Sequence, residues 1–340
     1  MPEILRISYN KMADVFRSVL LNLSFEPARA ATCAEIFASN SLDGVYSHGI
    51  NRFASFVQMV KEGHILPNAE AFRVHATPSL EQWDGALAPG PLNAVTATAQ
   101  AVDLAVANGI GCVAMANTNH WMRGGYYGWQ AAKAGCVFMG WSNTIANMPA
   151  HGATDARLGN NPLVIAVPFN GEAIVLDMAM SQFSYGAMQM AALKGEELPV
   201  FGGYDQNGQL TTTPAAILET GRTVPIGYWK GAGLSLLLDV VAAILSGGQA
   251  TYEVSRQKSE KSLSQVFLAI DLRQLKNYRG IEGAIQGIIS DYKQSVSAGE
   301  VLFPGERVRR TREQNGQQGI PVLESIWAEI LALQRADYQR

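Results

Sequence analysis

The first sixty residues place apolar side chains three or four positions apart, which is the period of amphipathic α-helices. In residues 9–22 these positions are Met12, Val15, Phe16, Val19 and Leu20. A second helix is predicted from Pro27, because proline suits a first helical turn, to about Leu42. We therefore expect residues 1–70 to form a helical unit.

The stretch Asp43–Phe53, DGVYSHGINRF, predicts the start of a third helix. Ser47 is a suitable N-cap, so the helix should run over residues 48–62 and end before Gly63. An apolar stripe would then lie ~120° from a face that carries His48 and Arg52. The stripe residues are Ile50, Phe53, Val57 and Val60.

His48 and Arg52 suit the chemistry of a small keto acid. An arginine binds a carboxylate in bidentate fashion, and a histidine can give a proton to the neighbouring carbonyl. The spacing alone also suits two unrelated surface side chains, and it favours that interpretation by roughly two to one.

From residue 71 to residue 275 the pattern changes to alternating strands and helices. Strands are predicted at FRVHA and LEQWD, followed by an Ala-rich helix from Pro91 to Gly109. Gly109, Gly111 and Ala114 spell G-x-G-x-x-A, but they follow a helix and enter a strand. A dinucleotide fingerprint needs the opposite order, so we interpret these glycines as a helix stop and a turn.

Further strands are predicted at residues 136–143, 163–169, 173–180 and 265–272, with the turn Asn170-Gly171 making a hairpin of the middle two. The Pro- and Gly-rich segment 148–162 is predicted to be an irregular loop. Ser181 is predicted to cap the helix that follows the hairpin. His120 lies just after a predicted strand, where open α/β sheets place their sites.

The last predicted elements are helical. Within the stretch 225–245 a long apolar helix is predicted to start at Lys230, Gly231 and Gly233, where free amides could hold phosphate. Helices at residues 280–297, 305–316 and 322–338 follow. We expect residues 71–275 to form an α/β cofactor-binding domain and residues 276–340 to pack with the N-terminal unit.

The composition and charge of the chain argue against several kinds of partner and of structural stabilisation. Hydrophobic residues make up 48% of the 340 residues and the net charge is −3, without a basic run, which argues against nucleic acid or an anionic membrane as a partner. No signal peptide or membrane span is predicted. Cys33, Cys112 and Cys136 form neither a disulfide framework nor a metal knuckle, which fits a reducing cytoplasm.

The blocks YSHGINRF, NHWMRGGYYGWQAA, GNNP, VLDMAMS, GYWKGAGLS and FPGER resemble, in this order, the malate/L-lactate dehydrogenase family that lacks a Rossmann domain. The resemblance implies an α/β fold with a mixed β-sheet and flanking helices, of the L-sulfolactate dehydrogenase type. It also implies a homodimer and reduction of 2-oxo acids with NAD, supplied as NADH, with NADP as the alternative.

The resemblance also implies roles for individual residues. His48 corresponds to the proton donor, Arg52 to a carboxylate partner, and His120 to a histidine beside the substrate that could itself be the acid-base group. Two positions near these blocks, His151 and Asn160, differ from close relatives. No metal ligand is implied. The residues that correspond to cofactor contacts are Ile174, Val175, Leu176, Asp177, Met178, Ala179, Trp229, Lys230, Gly305, Glu306 and Arg307.

The sequence thus predicts a reductase of a sugar-derived 2-oxo acid. A dehydrogenase of another 2-hydroxy or 2-imino acid is the first alternative, and a sugar-acid-binding protein without catalysis is the second. A metal-dependent hydrolase is a poor third, because the five histidines lack a ligand spacing such as H-E-x-x-H.

Overall fold

The computed structural model describes residues 3–257, 259–296 and 299–336. The helices are α1 Tyr9–Asn22, α2 Pro27–Leu42, α3 Ile50–Lys61, α4 Gly90–Asn108, α5 Gly125–Lys133, α6 Tyr185–Lys194, α7 Pro214–Thr220, α8 Trp229–Ser246, α9 Thr251–Val254, α10 Tyr278–Lys293, α11 Glu306–Gln318 and α12 Glu324–Arg335. The strands are β1 Ile4–Ile7, β2 Phe72–Ala76, β3 Leu80–Asp84, β4 Ile110–Thr118, β5 Cys136–Ser142, β6 Ala146–Pro149, β7 Ala156–Gly159, β8 Leu163–Phe169, β9 Glu172–Met178, β10 Gly203–Tyr204, β11 Leu210–Thr211, β12 Leu263–Asp271 and β13 Ile320–Leu323.

The centre of the molecule is a seven-stranded sheet with the order β2-β3-β4-β12-β5-β8-β9. Only the β3–β4 pair is parallel, and the other neighbours are antiparallel. The sheet is therefore mixed and is not the parallel sheet of a Rossmann fold. This confirms the predicted fold class.

Helices pack against both faces of the sheet. Successive side chains of a strand point to opposite faces, so one strand can contribute apolar residues to both helical layers. Val113 and Met115 of β4 pack with α4 and α5. Ala114, between them, points the other way and packs with Ala242 of α8. The central strands are thus buried between the α4–α5 layer and α8, whereas the edge strand β2 is exposed.

The helical unit joins both ends of the chain. Phe16 of α1, Phe37 of α2 and Phe53 of α3 form its aromatic core, with Phe16 and Phe53 stacked at 4.1 Å between ring centroids. Trp327 and Ile330 of α12 belong to the same core. Strands β1 and β13 pair beside it. This confirms a helical unit built from the N- and C-terminal segments, whereas the exact domain boundaries stay a prediction.

Several local predictions are confirmed. Helices α1 and α2 have the predicted bounds, and α4 ends at Asn108 with Gly109 at φ +85°. The turn between β8 and β9 has positive φ at Asn170 and Gly171, as the hairpin signal requires. Gly111 lies in β4, so the G-x-G-x-x-A pattern does not open a helix.

The predicted start of the third helix is wrong. Residues Tyr46–His48 form a separate 3₁₀ turn, Gly49 is the N-cap, and α3 begins only at Ile50. The cap comes from another helix, since the Ser41 hydroxyl of α2 accepts from the Ile50 amide at 2.9 Å. His48 and Arg52 therefore do not share one helix face, although the predicted apolar stripe of α3 is buried.

Two other predictions are corrected. The segment expected to be an irregular loop contains the antiparallel pair β6–β7, which the prolines and glycines do not prevent because they stand at its ends and turn. The helix after β9 begins later than predicted, and Ser184, not Ser181, caps it by accepting from the Ala187 amide. The Ser181 hydroxyl donates to the Phe183 carbonyl instead.

Candidate active site

A cavity of about 850 Å³ lies between the helical unit, the end of the sheet and the start of α6. The three predicted catalytic side chains, His48, Arg52 and His120, all line it. They come from the 3₁₀ turn, from α3 and from the loop after β4. The volume is near the upper end of the usual range for small-molecule sites.

Helix α2 fixes the turn that carries His48. The Asn40 side chain donates to the His48 carbonyl at 3.0 Å, and Ser41 caps α3 just beyond. Gly49 fits here because a Cβ at this position would overlap the Ser41 hydroxyl. The Y-S-H-G motif is therefore a tightly packed turn that holds the imidazole at the cavity wall.

The two imidazoles lie next to each other, with ring centroids 5.7 Å apart and planes inclined by 22°. The Met122 amide donates to Nδ1 of His120 at 3.0 Å. Nδ1 of His120 is thus an acceptor, so the hydrogen of the neutral ring is on Nε2. Nδ1 of His48 is 3.0 Å from the Ser47 hydroxyl, a contact that either tautomer allows.

The surroundings lower the pKa of both histidines, but from different sets of neighbours. For His48 burial lowers the pKa most, the Asp177 carboxylate partly opposes this by raising it, and Arg52 and Arg123 lower it further. Burial holds the pKa of His120 well below its usual range, and both Arg52 and His48 lower it further. His48 is therefore the imidazole with a carboxylate that favours its charged form.

Arg52 faces the cavity beside a second carboxylate that sequence reasoning missed. Its Nη2 is 3.8 Å from Oε2 of Glu260, which also lines the cavity. The other oxygen of Glu260 accepts from the Ile145 amide at 3.1 Å. The long Arg52–Glu260 contact leaves the guanidinium donors available to an anionic ligand.

A buried ion network supports the wall behind His48. Asp43 accepts from Arg123 and from Arg312, with the Arg312 Nε at 2.6 Å. Arg123 also lies 3.7 Å from Asp177, whose Oδ2 accepts from the Gly125 amide at 2.7 Å. Asp43 and Arg123 lie inside the D-G-V-Y-S-H-G and N-H-W-M-R-G-G blocks, but spacing along the chain did not reveal their pairing.

Parts of two predicted cofactor segments line the same cavity. Val175, Leu176, Asp177 and Ala179 line it, as does Gly305 at the start of α11. A Cβ at Gly305 would lie 2.9 Å from the Trp129 ring, so glycine lets the backbone pack directly against that ring. The N-terminus of α11 thereby reaches the cavity wall, and a helix N-terminus is suited to the phosphates of a dinucleotide.

Other predicted cofactor residues lie outside the cavity lining. Trp229 is 64% exposed, and Lys230 and Arg307 are also exposed. Glu306 is buried, and its carboxylate accepts from Lys293 at 2.9 Å and Arg310 at 2.8 Å, so it supports α11 instead of facing the cavity. The remaining predicted residues, Ile174 and Met178, belong to β9 but do not line the cavity.

The two positions that differ from close relatives lie in different places, one in the cavity lining and one outside it. Asn160 lines the cavity, and its side chain accepts from the Thr144 hydroxyl at 3.0 Å. His151 is exposed in the turn between β6 and β7 and is not part of the lining. Within the described ranges, no group of three His, Cys, Asp or Glu residues is arranged to hold a metal ion.

The comparisons with known proteins identify the family of this chain. The malate/L-lactate dehydrogenase family matches residues 7–331. The 2,3-diketo-L-gulonate reductase of Citrobacter koseri is 41% identical over 333 residues, which are 97% of this chain and all of that protein. Members of this family are oxidoreductases that use a nicotinamide cofactor.

Solved structures share the fold. A putative malate/lactate dehydrogenase from E. coli has a TM-score of 0.92 and 27% identity, and the match covers 99% of this chain and 96% of that one. The sulfolactate dehydrogenase of Methanocaldococcus jannaschii has a TM-score of 0.87 and 26% identity, covering 97% and 96%. The chain belongs to the malate/L-lactate dehydrogenase family and is a nicotinamide-dependent oxidoreductase.

Proposed function

We propose that this protein is an NADH-dependent reductase of a sugar-derived 2-oxo acid, with 2,3-diketo-L-gulonate as the first candidate substrate. The observation that carries the proposal is the convergence of His48, His120 and Arg52 on one cavity that also contains the family's cofactor segment. The similarity to a reductase of that name supports the choice of substrate.

The proposed chemistry assigns one task to each side chain. Arg52 binds the substrate carboxylate through its free guanidinium donors. His120, with hydrogen on Nε2, donates a hydrogen bond to the keto oxygen. His48 gives its proton to that oxygen as the alkoxide develops, and Asp177 favours the protonated imidazole that this needs. The nicotinamide, when bound, supplies the hydride for the keto carbon.

The dinucleotide would lie along the wall formed by β9 and the start of α11. Val175 is fixed there because its amide donates to the Pro304 carbonyl at 3.1 Å. Asp177 and Gly305 complete this wall. We propose NADH as the reductant, and a comparison with NADPH tests that choice.

The experiment is a panel of 2-oxo acids with either cofactor, followed by the loss of NADH absorbance. We expect the highest kcat/KM with 2,3-diketo-L-gulonate and NADH. A higher kcat/KM for pyruvate or oxaloacetate would instead assign the protein to another 2-hydroxy acid. An imino acid as the best substrate would assign it to the 2-imino acids, and binding without turnover would make it a sugar-acid-binding protein.

We also propose that the protein works as a homodimer in the cytoplasm. Helix α8 is long and apolar enough to cross a membrane by length and composition, yet only 33% of it is buried. Its outward stripe includes Leu237 at 60% and Ile244 at 67% exposure, whereas Ser235 and Asp239 face inward and form hydrogen bonds. A second copy covering this stripe would bury it. The three cysteines are free and buried, which is consistent with a reducing compartment.

A further inference from the structure

The end of the cavity around Arg52 is polar and carries charges of both signs. Its lining includes Asn51, Arg52 and Ser55 from α3, and Thr144 and Glu260 from the opposite wall. The Arg52 side chain is 39% exposed and the Glu260 side chain 18%. A ligand held by Arg52 therefore lies close to a carboxylate that belongs to the protein.

The two oxygens of Glu260 have different environments. Oε1 is fixed by the Ile145 amide, which holds the carboxylate in place. Oε2 has no hydrogen bond to the described residues and only the 3.8 Å contact with Arg52. An ionised carboxylate oxygen only accepts hydrogen bonds. Oε2 of Glu260 can thus accept a hydrogen bond from the ligand at a fixed position, and it cannot donate one.

We infer that Glu260 is a specificity-determining residue that accepts hydroxyl groups of the substrate and rejects a second carboxylate. A hydroxyl beside the reacting carbons can donate to Oε2, which then has its partner. A second carboxylate at the same place brings two negative charges together in a partly buried site, where repulsion is stronger than in water. The inference rests on the proposed function, because it assumes that Arg52 holds a 2-oxo or 2-hydroxy acid.

Glu260 would therefore favour polyhydroxylated monocarboxylates over acids of the malate type. Glu260 should also weaken the binding of every anionic substrate, because its negative charge lies beside Arg52. A reference acid that has neither a second carboxylate nor further hydroxyls measures this general effect alone, so that the specificity role can be separated from it. Lactate is such a reference.

The test measures equilibrium binding of lactate, malate and L-gulonate to the full chain in the presence of NADH, by calorimetry. Reduced acids with reduced cofactor do not react, so the readout is affinity and not turnover. For Glu260→Gln we expect the malate-to-lactate affinity ratio to rise at least about tenfold, and the gulonate-to-lactate ratio to fall. Glutamine keeps the size of the side chain and an oxygen for the Ile145 amide.

Two further variants keep the test decisive. Glu260→Asp retains the charge, so it should still discriminate against malate, although the bond to Ile145 is altered. Glu282→Gln removes an exposed carboxylate on α10 and should leave all three affinities unchanged.

Equal changes for the three acids in Glu260→Gln would show that Glu260 acts only through Arg52 and would overturn the inference. The same loss of discrimination in Glu260→Asp would do so as well, since it would indicate a structural cause. If the unaltered protein binds none of the acids, the proposed function itself fails and the inference fails with it.

Discussion

At the scale of residues, the site contains two adjacent imidazoles with unequal surroundings. Nδ1 of His120 accepts from the Met122 amide, and among the described residues no carboxylate raises the pKa of this ring. His48 has Asp177 to stabilise its charged form, against the effects of burial and of two arginines. We therefore propose His48 as the proton donor and His120 as the donor of a neutral hydrogen bond.

The first prediction tests this division. His48→Gln should lower kcat by ~10²–10⁴ with little change in KM, because a general acid acts mainly in the transition state. His120→Gln should keep more of the turnover, since glutamine can still donate a hydrogen bond. Steady-state kinetics of both variants, with NADH affinity as the control for folding, compare the two roles. Abolished turnover in His120→Gln together with nearly normal turnover in His48→Gln would reverse the assignment.

The second prediction concerns pH. In the proposed mechanism reduction needs protonated His48, so the reduction rate should fall as the pH rises through the pKa of that group. Asp177→Asn removes the carboxylate that raises the pKa of His48, so this pKa should fall further and the loss of rate should occur at lower pH. The pH dependence of the rate is measured by single-turnover oxidation of NADH at saturating substrate. Asp155→Asn, which alters an exposed ion pair, is the control, and an unchanged pH dependence in Asp177→Asn would contradict the role of this carboxylate.

At the scale of elements, the start of α11 shows how local backbone geometry shapes the cavity. Gly305 is the N-cap at φ +92°, a conformation that side chains disfavour. The chain also passes close to the Trp129 ring and to the Val175 amide, leaving no room for a Cβ. Glycine at this position therefore allows α11 to start directly against β9.

The third prediction follows from this packing. Gly305→Ala should lower the free energy of unfolding by ~1–3 kcal/mol through backbone strain, and should weaken NADH binding. Gly316→Ala is the matched control on the same helix: nothing lies near its Cβ, so the helix should gain about 0.5–1 kcal/mol. Chemical denaturation and fluorescence titration measure both quantities. An unchanged NADH affinity in Gly305→Ala would separate this turn from the cofactor site.

At the scale of the whole molecule, the two ends of the chain support the site together. Asp43, just after α2, is held by Arg312 of α11 and by Arg123 beside the cavity. The exposed stripe of α8 lies on the other side of the sheet from α4 and α5. The helical unit thus supports the site, and the exposed stripe of α8 is the surface that we propose for a second subunit.

The fourth prediction tests the assignment of the dimer surface. Leu237→Glu introduces a charge into the α8 stripe and should convert a dimer into monomers, as measured by light scattering during gel filtration. Ile288→Glu, on the exposed apolar face of α10, is the control because its exposure of 66% is similar. Dissociation caused by Ile288→Glu alone would place the interface on α10, and a monomeric unaltered protein would rule out the proposed dimer.

Elements whose signals are local could be predicted before the structure was known. The bounds of α1 and α2, the stop at Gly109 and the Asn170-Gly171 hairpin were predicted because periodicity and turn chemistry act within a few residues. His48, Arg52 and His120 were selected in advance mainly through the resemblance to a known family, because the spacing of His48 and Arg52 alone favours two surface side chains. All three side chains line one cavity, and their roles stay a prediction.

Features that depend on distant parts of the chain could not be predicted and emerge from the folded structure. The start of α3 is set by Ser41 of another helix, so the local N-cap signal at Ser47 was misleading. The pairing of β1 with β13, the Arg312–Asp43 ion pair across 269 positions and the approach of Glu260 to Arg52 leave no trace in local periodicity. These contacts depend on how packed elements bring side chains together, which a pattern along one chain does not specify.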